Sequence, residues 1–232
     1  MKFSFRLLGF SVVLTLLLTS AICFADTAPL YGSGNVLAAA NFNDGPGSSD
    51  MTLIIRLSGD GIIYVDEGNP VKYIHDPDNE GVEGWTEIGF DDGGWTDGIS
   101  GVGFADGDDN TTTSSGLMSI WTRYRLDAPN AASAQELVLL VDYDDQAMVW
   151  LNGVNIFTSA GAPEGDPPAW NASQGGTPNH GASELAAGQP NAARWSHGDI
   201  EEVIVDFQFA GATAVEADGK LATTWGNLKK EN

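Results

Sequence analysis

The stretch from Asp142 to Gly153, DYDDQAMVWLNG, constrains the fold more than any other part of this chain. An almost continuous apolar run, Leu137 to Val141, leads into it, and the acidic segment Asp142-Tyr143-Asp144-Asp145 predicts a turn. Beyond that turn Ala147, Val149 and Leu151 alternate with Met148 and Trp150, which is the period of a strand with two distinct faces. Asn152-Gly153 is the strongest short hairpin signal, and Val154 to Phe157 supplies the return strand. The reading is a strand–turn–strand–turn–strand meander whose apolar face requires a second sheet to cover it.

The first 25 residues read differently from the rest. Lys2 and Arg6 make a basic start, Leu7 to Leu18 supply an apolar run, and small and polar residues end in Ala25, so residues 1–25 are expected to be a secretory signal peptide. The apolar run is short for a membrane span of about 20 residues. Cys23, the single cysteine, lies inside this segment, so residues 26–232 carry no disulfide framework, thiol nucleophile or thiolate metal site. An exported domain of this kind depends on its core, and about 207 residues suffice for one large domain, expected over 26–209 with a tail at 210–232. Removing Lys2 and Arg6 moves the formal charge from −22 to −24. Such a surface repels nucleic acid and anionic lipid, which excludes both as partners.

Apolar clusters elsewhere are four to eight residues long and fenced by Gly, Asp, Asn or Pro, an all-β pattern that predicts an antiparallel β-sandwich. Strands are expected at 35–42, 51–57, 62–65, 71–74, 119–126 and 200–209. In the fifth of these, Ile120, Thr122, Tyr124 and Leu126 share one face, while Trp121, Arg123 and Arg125 share the other. Residues 84–104, GWTEIGFDDGGWTDGISGVGF, fit neither period and read as a long loop pinned down by Trp85, Phe90 and Trp95. Residues 159–198 read as a second long irregular segment, of the length that is usually functional or disordered.

The pattern W85-x4-F90-D91-D92-x2-W95-x2-G98, then T122-R123-Y124, then D144-D145-x3-V149-x-L151-N152-G153 resembles the galactose-binding-like β-sandwich, a jelly roll. The variety it is most like occurs in sugar-binding domains of glycoside hydrolases and in large exported bacterial proteins. In that family the strand after the long loop is followed by a segment of the form NVLA-x3-N, a loop, then SSD-M-x-L. Here it stands near the N-terminus, as Asn35 to Asn41 and Ser48 to Leu53. Residues 30–58 are therefore read as supplying the family's C-terminal strands in circularly permuted order, with a relic of another copy as the alternative. The permuted reading requires 35–42 to pair in the same sandwich as 137–157 and 200–209.

Catalysis finds little support. His75, His180 and His197 are isolated, and no G-x-S-x-G motif occurs, so no enzyme is expected. For metal, Asp76-x-Asp78-x-Glu80-Gly81-x5-Glu87 approaches a calcium loop, but Glu80 departs from it at the fifth position and Glu83 stands where an apolar residue is usual. Asp76, Asp78, Glu80 and Glu87 are the candidate calcium ligands against the plainer account of an acidic surface loop. Asp106, Asp108 and Asp109 form a second, weaker group. The resemblance implies a structural calcium and a sugar site built from loops, where aromatic faces stack on sugar rings and Asp, Asn and Arg bond the hydroxyls. Trp170 with Asn171, and Arg194 with Trp195, are the candidate carbohydrate-binding residues in the second long loop, the competing account being that both tryptophans pin the loop to the sheet. The expected function is a secreted, non-catalytic module that binds carbohydrate at a cell surface or in a matrix. A structural or adhesion module without a small ligand, derived from a larger multidomain protein, is the alternative.

Overall fold

The computed structural model describes residues 26–77, 82–105, 107, 109–172, 181–182 and 191–214. The expected signal peptide, Asp78, Glu80, Asp106, Asp108, His180 and residues 215–232 of the tail lie outside the described residues.

The described chain is all-β and folds as a β-sandwich of two mainly antiparallel sheets. In chain order the strands are β1 (Ala28–Tyr31), β2 (Asn35–Phe42), β3 (Met51–Gly59), β4 (Ile62–Val65), β5 (Pro70–His75), β6 (Thr96–Ile99) and β7 (Val102–Phe104). They continue as β8 (Thr111–Thr112), β9 (Ser119–Leu126), β10 (Leu137–Asp144), β11 (Gln146–Leu151), β12 (Val154–Thr158), β13 (Glu201–Ile204) and β14 (Phe207–Gly211). A 3-10 turn, Asn191–Ser196, precedes β13. The first sheet has the order β13-β10-β3-β7-β8, with β4 also paired to β3, and the second runs β12-β11-β2-β9-β5-β6. A short parallel pair, β1 with β14, stands beside them.

Side-chain alternation accounts for the layers. Leu37 and Ala39 of β2, Ile120 and Tyr124 of β9, and Ala147, Val149 and Leu151 of β11 point inward from the second sheet. Leu53, Ile55 and Leu57 of β3 meet them from the first sheet, with Leu139, Val141 and Tyr143 of β10. The opposite face of the second sheet is not left to solvent. Val36, Ala38, Ala40, Phe42, Trp121, Met148 and Trp150 form a second buried cluster on the outer side of the second sheet, beneath Trp85 and Trp95.

Residues 35–42 pair with β11 on one side and β9 on the other, at the centre of the second sheet. Residues 51–59 pair with β10 in the first. The early segment thus lies within the same two-sheet body as β10 to β13.

Three local expectations change. The central meander is not one: β10 and β11 belong to different sheets, and the chain crosses between them at Asp144–Gln146. The strand runs through the expected turn because Asp142, Tyr143 and Asp144 pair with Ile54, Leu53 and Thr52, while the Arg194 guanidinium meets the Asp142 carboxylate. The second half holds as expected: Leu151 opposes Val154, and Asn152 (φ 54°) and Gly153 (φ 86°) make the tight turn between β11 and β12. Within 84–104 two short strands, β6 and β7, pair with β5 and β3. Their glycines, Gly98 and Gly103, hide the alternation but suit close approach, since a side chain at Gly103 would meet the Met51 carbonyl. Residues 200–209 form two strands with different partners, because β13 joins β10 and β14 joins β1.

Candidate functional site

The outer face of the second sheet is built around indole rings and one buried cation. Trp85 stacks on Trp121 with centroids 4.5 Å apart and meets Trp150 edge-on at 5.3 Å. Arg123, on the same face of β9 as Trp121, is fully buried among them. Its guanidinium donates to Asp92 at 2.9 Å and to the backbone carbonyls of Trp85 and Glu87, so it ties the 82–95 segment to the sheet. Arg125, two residues on, donates to the other oxygen of Asp92, also at 2.9 Å. The FDD-x2-W pattern is thus a fastening: the second Asp bridges two arginines of one strand face, and the Trp closes the ring cluster.

Asp92 reports on this fastening. Burial alone would raise its carboxyl, but hydrogen bonds and charge from Arg123 and Arg125 outweigh it and hold the group below its ordinary 3.8. A carboxylate depressed in the folded state adds stability above its unfolded pKa, and that contribution disappears as pH falls through the folded value. The gap in urea stability between the wild type and Asp92→Asn is therefore expected to be constant above about pH 5. It should narrow steadily below about pH 4.

Beside this fastening the sandwich opens. Strand β5 pairs with β9 only from Lys72 to His75. Past Lys72 the strands part, because Pro70 has no N–H to offer and the chain has come across from β4 in the other sheet through the turn at 66–69. The gap is a cavity of about 300 Å³ whose lining includes Tyr64, Asn69, Lys72, Asp97, Tyr124 and Arg125. Of the five lysines and arginines among the described residues, three (Lys72, Arg123 and Arg125) line it, in a chain with a net charge of −22. Lys72 and Asp97 pair at 2.8 Å at the rim, where the Asp97 side chain is 88% exposed. The Arg125 side chain is 58% exposed and spends one amino group on Asp92, leaving donors directed to solvent. Burial pushes the Tyr124 phenol up to about 12, so it stays a neutral hydroxyl hydrogen-bonded to Ser100. The arrangement offers apolar walls with converging charged donors and acceptors, the usual make-up of a small-ligand site.

The residues expected to bind sugar do not come together. Arg194 is fully buried on the outer side of the first sheet, donating to Glu67 at 3.0 Å and to Asp142 at 2.8 Å. Next to it Trp195 donates its indole N–H to Asp66 at 3.0 Å, and Arg56 lies over its ring at 4.8 Å. These contacts hold the 3-10 turn against the sheet. Trp170 lies on the far side of the sandwich, half-buried against the tryptophan cluster, with Asn171 exposed beside it. Of the candidate calcium ligands, Asp76 uses Oδ1 to accept the backbone N–H groups of Met118 at 2.7 Å and Ser119 at 2.8 Å. Glu87 is exposed and serves Arg123 through its carbonyl. No group of three or more His, Cys, Asp or Glu side chains is placed to hold a metal among the described residues.

The cavity residues had one signal in the sequence, the pair Arg123 and Arg125 on a single strand face. Nothing in the spacing linked that face to Lys72 and Asp97, which reach it only through sheet order. The chain matches no protein-family model, no curated protein and no solved structure.

Proposed function

We propose that this is an exported, non-catalytic β-sandwich of galactose-binding-like type that binds carbohydrate in the cavity between β5 and β9. The observation that carries the reading is the concentration of Lys72, Arg123 and Arg125 with Asp92 and Asp97 around one opening in an otherwise acidic protein. Paired Arg, Lys and Asp groups can donate to and accept from neighbouring sugar hydroxyls at once, and the apolar walls provided by Val65, Pro70 and Val71 suit the C–H face of a ring. The permuted galactose-binding-like reading is supported by the central places of residues 35–42 and 51–59 in the two sheets.

A glycan array probed with the purified protein tests this. Retention of a defined set of glycans by the wild type, lost in Arg125→Ala, is the expected result. Arg125 is exposed and Arg123 stays paired with Asp92, so the change should cost less than about 1 kcal/mol of stability. Turnover of any glycoside would overturn the non-catalytic reading.

A second reading, a structural or adhesion module without a small ligand, draws on one feature. Ile63, Ser58, Val138 and Ile204 lie in register across β4, β3, β10 and β13, and Ile63 and Ile204 are 50% and 62% exposed. This row stands on the side of the first sheet away from the core. No retained glycan, together with a protein partner whose capture is lost in Ile204→Asp, would favour it.

A further inference from the structure

Where the chain crosses between sheets, at the junction of β10 and β11, several buried side-chain oxygens have no hydrogen-bond donor. We propose that Asn41, Asn43 and Asp145 bind one hard divalent cation of the calcium class at this end of the sandwich.

The three positions are neighbours by register. Asn41 of β2 opposes Ala147 of β11, and Phe42 opposes Gln146, so Asn43 and Asp145 stand side by side at the next step. The Asp145 carboxylate confirms this, accepting the backbone N–H of Asp44 on Oδ2 at 2.6 Å. Asn41 points between the sheets, since its Nδ2 donates to the Thr52 carbonyl on β3. Asn43 Nδ2 donates to the Leu117 carbonyl at 3.0 Å. All three residues are at most 1% exposed, and Asn41 Oδ1, Asn43 Oδ1 and Asp145 Oδ1 have no partner.

The chemistry of these orphans selects the ligand. Both amide nitrogens are already used, so every unmet atom in the set is an acceptor. A carboxylate taken out of water without a compensating cation is costly, and unpaired buried acceptors add to that cost. One water has two protons for three acceptors. A cation can take all three lone pairs and the negative charge together, and carboxylate and amide oxygens are calcium-type ligands. A single carboxylate among the ligands places the affinity on the order of 10⁻⁴–10⁻³ M, the range of extracellular calcium modules. Gln146 Oε1 is also unpartnered, but its strand parity turns it to the other face, with Phe42 and Met148. The proposed ligand set uses neither Asp76 nor Glu87 and does not depend on whether a sugar binds.

Thermal unfolding of the purified protein in EDTA, magnesium and calcium at matched ionic strength tests the proposal. Screening of the acidic surface raises Tm equally for both cations, so the signal is the increment with calcium over magnesium. In about tenfold excess over the dissociation constant, that increment should be roughly 3–6 °C. Asp145→Asn should abolish it. Asn43→Asp adds a carboxylate, so it should enlarge the increment while lowering Tm in EDTA. Equal shifts with calcium and magnesium would overturn the site, as would an undiminished increment in Asp145→Asn. If Asp145→Asn does not fold, Asn43→Asp decides: an increment no larger than wild type contradicts the site and leaves the pocket to water.

Discussion

Trp85→Ala is expected to destabilise the protein by about 3–5 kcal/mol, the range for deleting a large buried aromatic side chain. The indole is 1% exposed and meets three other tryptophans, with Trp121 stacked on it, Trp95 tilted against it and Trp150 at its edge. Its removal leaves a hole over the outer face of the second sheet that the surrounding rings can close only by leaving their own contacts. The same residue's carbonyl accepts from Arg123, so collapse of the 82–95 segment would loosen the buried guanidinium as well. Small domains have total stabilities of about 5–15 kcal/mol, which makes this one change enough to threaten folding. Urea denaturation measures the loss, and Trp85→Phe, which keeps a ring in the stack, should recover a large part of it. A loss below about 1 kcal/mol would show that the segment is a dispensable cover.

Arg194→Ala is expected to cost about 3–5 kcal/mol for a different reason. The guanidinium is fully buried between Glu67 and Asp142, so its removal takes the cation away from two buried carboxylates, one of them on β10. The loss comes from removing that compensating charge inside the protein. The triple change Glu67→Gln, Asp142→Asn and Arg194→Met should therefore be far closer to wild type than Arg194→Ala alone. Calorimetric unfolding of both variants separates the two accounts. If the triple change is as damaging as the single one, packing of the 3-10 turn rather than charge is what Arg194 contributes.

Much of the fold can be read from the residues in order. The strand spans at 35–42, 51–57, 62–65 and 119–126 come close to the observed strands, because their alternation is clean and their ends are marked by Gly, Asp or Asn. The parity of β9, which sets Trp121, Arg123 and Arg125 on one face, was visible in eight residues. Sheet order was not. Asp142 and Asp144 look like turn residues until Arg194, far along the chain, supplies the cation that lets β10 continue. Glycines at 98 and 103 conceal β6 and β7, since a strand without side chains shows no period. The sites were less legible still. Arg194 and Trp195 sit in a polar, Gly-rich and Pro-rich segment that suggests exposure, yet acids from two distant stretches, Asp66-Glu67 and Asp142, draw them onto the sheet. The edge cavity joins residues from β4, β5, β9 and the 82–97 segment, a set that only the crossing at 66–69 brings together.

On the proposed reading, carbohydrate is held in the cavity beside Arg125 and not on the loop around Trp170. Titration calorimetry with a glycan retained on the array, run on the wild type, Arg125→Ala, Asp97→Ala and Asn171→Ala, tests it most directly. Arg125 and Asp97 both line the opening, so each change should weaken binding by about tenfold or more, the loss of one charge-assisted hydrogen bond. Asn171→Ala should bind like the wild type. Full affinity in Arg125→Ala and Asp97→Ala, with binding lost in Asn171→Ala, would place the sugar on the loop around Trp170 and contradict the account.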